Sequence, residues 1–158
     1  MRYLTGSLLL AWLFTASVAA EQTGLVVRDA WVREAPPGAS VLAGYLQLEN
    51  RGPETLVFDA LSSSDFGRIE LHRTLVEEGV AKMQPVGQLE IAAGESVSLE
   101  PGGMHLMLFN PGRPLQAGDR VDFSIQLANG ASHAFEATVR RGAADEAHQH
   151  HHHHHHEH

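Results

Sequence analysis

The sequence predicts an all-β fold, an antiparallel sandwich or barrel in a single domain. Three observations predict it. Short runs rich in Val, Ile, Leu, Thr and aromatic residues recur along the chain. Gly, Pro and Asn turn signals separate them at regular intervals. No stretch carries a convincing helical period, and short strands with such punctuation are the mark of sandwiches and barrels.

The first element is not part of that fold. Arg2 supplies a positive start, Leu8 to Phe14 an apolar run, and Thr15 to Ala20 a series of small residues. This is the layout of a secretory signal peptide over residues 1–20, cut near Ala20. The apolar run falls short of the about 20 residues a membrane span needs, and no later segment is apolar enough to cross. A mature, exported domain from Glu21 to Gly142 follows. The periplasm is the expected compartment.

The strands come in order. Val26 to Val32 is β-rich and stops at Pro36-Pro37-Gly38. Ser40 to Leu48 alternates at its end and stops at Asn50-Arg51-Gly52-Pro53. Thr55 to Phe58 comes next. Arg68 to Thr74 and Val80 to Met83 flank Glu77-Glu78-Gly79, which reads as a hairpin. Ser96 to Glu100 alternates, Pro101-Gly102-Gly103 turns, and His105 to Phe109 is a strand closed by Asn110-Pro111-Gly112. Val121 to Leu127 alternates up to Asn129-Gly130, and Ala134 to Val139 ends the domain. There is no internal repeat. Residues 143–158 are small, polar and His-rich, a disordered tail by composition.

Charge and cysteine usage narrow the function. The 158 residues carry a formal net charge of −8, and losing Arg2 with the signal leaves −9. That disfavours nucleic acid and anionic lipid as partners. The chain has no cysteine, so its core holds without disulfides and no site can use thiolate. A monomer is the expected state.

One constellation stands out. After the signal, the only methionines are Met83, Met104 and Met107, and the only histidines before the tail are His72, His105 and His133. Met104-His105-Leu106-Met107 gathers three of the six. Alternation places His105 and Met107 on one face, with Met104, Leu106 and Leu108 on the other, the core side. The hairpin brings His72 and Met83 near each other across its two arms. Two imidazoles and two thioethers form a soft, uncharged set that favours Cu(I). Structural zinc sites prefer Cys and His, calcium and magnesium want oxygen, and blue-copper electron transfer needs a Cys. The reading is therefore metal carriage at His72, Met83, His105 and Met107.

These residues also resemble a known family. His72, Met83, His105 and Met107 match the H-x10-M-x21-H-x-M signature of the periplasmic copper-A chaperone (PCuAC-type) family in residue type and spacing. Glu70-Leu71-His72, Gly79-Val80 and Pro101-Gly102-Gly103 are similar in their surroundings. The resemblance covers Val26 to Val139. It implies a cupredoxin-like Greek-key β-barrel binding one Cu(I), with copper delivered towards the copper-A site of cytochrome c oxidase. It also implies partners: the apo copper-A domain of the oxidase, a Sco-type thioredoxin-fold protein, or both.

Other conspicuous residues take plainer roles. Met104 packs inward, His133 belongs to the surface past a turn, and Trp31 packs near the end of the first strand. Glu77 and Glu78 form a solvated turn. No Ser-His-Asp set, phosphate loop or paired carboxylate stands out, so an enzyme is not expected. In the tail, His148, His150, His151, His152, His153, His154, His155, His156 and His158 form a second candidate metal site. Interruption by Gln149 and Glu157, together with the signal-like start, argues for a native segment over an expression tag. Clustered imidazoles suit Cu(II) or Zn(II). This leaves an alternative function, buffering or storage of copper or zinc in the exported compartment.

Overall fold

In the computed structural model the placed residues are 24–142. The signal expected at 1–20 and the His-rich tail expected at 143–158 lie outside the described residues.

Alternation of side chains along each segment becomes the two faces of one curled sheet. The strands are β1 (Leu25–Arg33), β2 (Val41–Asn50), β3 (Leu56–Ser62), β4 (Phe66–Glu77), β5 (Val80–Pro85), β6 (Leu89–Ile91), β7 (Ser96–Leu99), β8 (Met104–Pro111), β9 (Arg120–Leu127) and β10 (Ser132–Arg140). No helix occurs among the described residues. The order across the sheet is β5-β4-β8-β2-β1-β10-β9-β3-β6, with β7 paired to β2. Pairing is antiparallel except between β1 and β10. Strand β2 serves two neighbours, β8 along Val41 to Gly44 and β7 along Leu46 to Glu49.

The core lies inside the curl. On β9, Val121, Phe123, Ile125 and Leu127 point inward while Arg120, Asp122 and Gln126 stay exposed. They meet Leu42, Leu46 and Leu48 of β2, Leu106 and Leu108 of β8, and Phe58 of β3 in one apolar cluster. Phe66 of β4 stacks across to Phe123 at 6.1 Å between centroids, which ties the two walls together. Burial of this apolar surface is the main stabilising term, at about 25 cal/mol per Å².

One buried polar side chain serves the core edge. Asn50 is fully buried, donates to the carbonyls of Glu54 and Ile91 at 2.7 and 2.9 Å, and accepts from the Gly52 amide at 2.9 Å. Every polar atom of its amide group is thus used, as burial requires.

Strand β1 contains the one feature that alternation alone conceals. Its register slips between Arg28 and Trp31, where Asp29 adopts φ 48°. This β-bulge changes which parity faces the core. Leu25 and Val27 face inward before it and Val32 after it, so Trp31 turns outward and rests on Tyr45, centroids 4.5 Å apart.

Candidate metal centre

Register decides which side chains meet. The β4–β5 hairpin turns at Glu78 and Gly79, both with positive φ (52° and 79°). Two such residues make the turn whose twist suits adjacent antiparallel strands. Glu77 then faces Val80, Thr74 faces Met83, and His72 faces Pro85. On its other side β4 pairs with β8, so that His72 faces His105, Glu70 faces Met107 and Arg68 faces Phe109.

Directly opposed residues share a face, as do residues two apart on one strand. His72, His105, Met107 and Met83 therefore all lie on the outer face of the β5-β4-β8 sheet. His72 is the hub. His105 stands directly across from it, and Met107 and Met83 stand on its two diagonals, positions about 7–8 Å away in backbone terms and within reach of long side chains. Strand β8 divides as its alternation requires. Met104 turns to the core side, where it is partly buried against the cluster and its Sδ meets Nη2 of Arg73 at 3.5 Å. His133 lies on β10, opposite Ile125 and four strands from β4.

The environment of each residue differs. His105 is 6% exposed and the His72 side chain 12%. Met107 is half-buried, while Met83 on the edge strand is 60% exposed. The two imidazole centroids are 6.3 Å apart and tilted by 41°. Imidazole–metal bonds near 2.0 Å place each ring centroid roughly 3.2 Å from an ion, so this separation lies within the span of two rings on one metal.

One observation shows that the site suits an ion. Nδ1 of His72 is buried and has no hydrogen-bond partner among the described residues. Such an orphan costs about 1–3 kcal/mol. A metal accepting its lone pair would satisfy it. Among the described residues no group of three or more His, Cys, Asp or Glu side chains is placed to hold a metal ion by itself. The other soft donors on this face are the thioethers of Met83 and Met107, and with the two imidazoles they make up a donor set suited to a soft monovalent ion.

Glu70, which the sequence names only as a neighbour of His72, has a place in the site. It lies on the same face, next to Met107 in register, with its Oε2 2.9 Å from Nε2 of His72 and its Oε1 3.2 Å from Nε of Arg68. Its two-residue offset from His72 was the available signal. The same face extends to Ala43, opposite Met107, and on to Tyr45. Burial raises the Tyr45 hydroxyl above its usual value and the Arg33 charge pulls it partly back.

Comparison with known proteins places this geometry in context. The profile of the LpqE-like lipoprotein family matches residues 25–139. A relative from Leifsonia xyli subsp. xyli, bearing the lipoprotein name Lxx21020, is 30% identical over 118 residues, covering 74% of this chain and 70% of its own. Among solved structures, Cu(I)-DR1885 from Deinococcus radiodurans superposes with a TM-score of 0.62 at 26% identity, over 81% of this chain and 85% of that one. The apo PCuAC domain from PmoF1 gives 0.63 at 17% identity, over 75% and 95%, and shows the shared fold. The all-strand architecture is thus the cupredoxin-like one of PCuAC domains.

Proposed function

The chain belongs to the LpqE-like, PCuAC-type family, and on that premise we propose that it is an exported copper(I) chaperone whose cargo is held by His72, Met83, His105 and Met107. The observation that carries the reading is the register: one sheet face gathers all four residues around His72 and its orphaned Nδ1. DR1885, a structural relative at 26% identity, has been solved with Cu(I), which supports the same cargo here.

The site's construction suits transfer. Neutral thioethers and imidazoles bind a monovalent ion without thiolate, so an oxidising compartment cannot close the site as a disulfide. Met83 stands exposed on the edge strand, where an incoming ligand from an acceptor can replace it. The proposed route runs to the copper-A domain of cytochrome c oxidase, with a Sco-type thioredoxin-fold protein as an alternative or additional partner. The signal-like residues 1–20 and the lipoprotein names of its relatives support export, with the periplasm as the proposed compartment.

Competition against a Cu(I) chelator tests the ligand set. His72→Ala must lose affinity by tenfold or more, and X-ray absorption on the loaded protein must show both sulfur and nitrogen neighbours. Wild-type affinity in His72→Ala refutes the site. Incubation of loaded protein with an apo copper-A domain tests delivery.

The His-rich tail favours a second reading, buffering of copper or zinc. Gly142, the last described residue, lies against Arg33, and Arg33 occupies the same outer face as Ala43 and Met107. His148 follows six residues later in the sequence. A tail that collects Cu(II) beside the Cu(I) site would make the protein a store. Copper that stays on the loaded chain in the presence of the apo acceptor supports buffering, and equal Cu(II) stoichiometry with and without residues 143–158 removes the tail from the account.

A further inference from the structure

We propose that Glu70 is a positioning residue that fixes the tautomer of His72, so that this imidazole binds copper through Nδ1 while His105 binds through Nε2. The inference rests on the copper site proposed above and goes beyond it by naming the ligating atoms and the residue that selects one of them.

A neutral imidazole carries one hydrogen, and the nitrogen without it holds the lone pair for a metal. The partner of the other nitrogen decides which is which. Oε2 of Glu70 lies 2.9 Å from Nε2 of His72. A carboxylate only accepts, so Nε2 must carry the hydrogen and donate it. The lone pair is left on Nδ1, and Nδ1 is the buried atom that has no partner among the described residues. Both observations on His72 agree.

His105 is set the opposite way. Its Nδ1 lies 3.1 Å from the Gly103 carbonyl oxygen. A backbone carbonyl also only accepts, so here Nδ1 donates and Nε2 is the free nitrogen. Two facing histidines thus present different nitrogens to one centre. Both settings come from residues two positions before the histidine, a side chain in one case and the main chain in the other.

Glu70 is itself held. Its other oxygen receives Nε of Arg68 at 3.2 Å, and Arg68 lies over the Phe109 ring at 4.3 Å. Arg68, Glu70 and His72 are successive residues on the outer face of β4, so the strand's own periodicity aligns the chain from aromatic ring to ligand. Carboxylate–histidine–metal arrangements orient the ring and raise its basicity, and losing the outer partner usually costs about 10–100-fold in metal affinity.

The experiment uses the full mature chain with and without one equivalent of Cu(I). Nitrogen-15 NMR of the copper-free protein reads the tautomer of each histidine, and chelator competition reads affinity. Wild type is expected to show Nε2–H at His72 and Nδ1–H at His105. Glu70→Ala is expected to mix the His72 tautomers, leave His105 unchanged and bind Cu(I) about 10–100-fold more weakly. Glu70→Gln keeps an accepting oxygen but no charge, and is expected to hold the Nε2–H tautomer and most of the affinity. An Nδ1–H tautomer at His72 in wild type overturns the proposal. So does wild-type affinity in Glu70→Ala, or equal loss in Glu70→Gln and Glu70→Ala, which would assign the effect to charge. The two readings fail separately: if His72→Ala also binds as wild type, the site itself is wrong, whereas if only the Glu70 variants are silent, the site stands and the tautomer selection falls.

Discussion

Met83→Leu separates copper binding from folding more cleanly than any other change at the site. Met83 is 60% exposed on an edge strand, so the substitution removes a sulfur and little packing. Surface replacements of this kind stay within about 0.5 kcal/mol. Unfolding entropy near 2.1 cal/mol/K per residue gives roughly 0.25 kcal/mol/K for a domain of about 120 residues, so the metal-free Tm moves by no more than about 2 °C. With free Cu(I) buffered a thousandfold above Kd, binding stabilises wild type by about 4.1 kcal/mol, a rise of roughly 16 °C. A hundredfold loss of affinity leaves a tenfold excess, about 1.4 kcal/mol and roughly 6 °C. Thermal melts followed by far-UV circular dichroism in a Cu(I) buffer measure both quantities. An unchanged rise of about 16 °C in Met83→Leu refutes ligation by this residue. A fall of many degrees in the metal-free protein refutes the claim that Met83 takes no part in the core.

Two further outcomes follow from other parts of the molecule. Asn50→Leu strands the Glu54 and Ile91 carbonyls and the Gly52 amide, and should cost about 3–5 kcal/mol in urea unfolding; a loss under about 1 kcal/mol would mean that water replaces the amide. The Asp119 carboxyl is held below its ordinary value of 3.8, first by the Gln116 amide and then by Arg113. A lowered folded-state value means that its contribution is present above pH about 4 and is lost as pH falls through the folded value. Asp119→Asn should therefore flatten the acid limb of the stability curve, and acid profiles of identical steepness for the two proteins would contradict this.

Most strands were legible because a half-buried sheet writes its pleat into the sequence. Val121 to Leu127 alternates cleanly, and its odd residues are the buried ones. Strand β6 was not legible: Leu89–Ile91 spans three residues, too short to show a period. Strand β3 runs on to Ser62, and its extension through Asp59, Ala60 and Leu61 carries no alternating pattern. It pairs with β9 across a register shift between Phe58 and Ala60, which breaks the alternation along the strand. Strand β1 hid its bulge for a related reason. Val26 to Val32 reads as β-rich, and although Asp29 is a residue that strands disfavour and that tolerates positive φ, only the folded chain shows that its inward parity changes there.

The proposed copper site was legible to the degree that its spacing encodes register. Met83 follows His72 by eleven positions across a two-residue turn, an interval that lands it on the same face and one diagonal away. A spacing longer or shorter by one would put the thioether on the opposite face. His105 stands directly across from His72, and Met107 two positions on repeats the diagonal on the other side. The three intervals therefore describe a single construction, one histidine at the centre with a proposed ligand opposite and one on each flank. Glu70 belongs to the same construction, because two residues before His72 on the same strand is one of the two nearest positions that share its face. What spacing does not carry is atomic choice. Which nitrogen each imidazole offers depends on an acceptor lying within 3.1 Å of its other nitrogen, a side chain for His72 and a main-chain carbonyl for His105. Both acceptors stand two residues upstream, yet only the folded chain distinguishes a carboxylate that reaches the ring from a carbonyl that happens to face it.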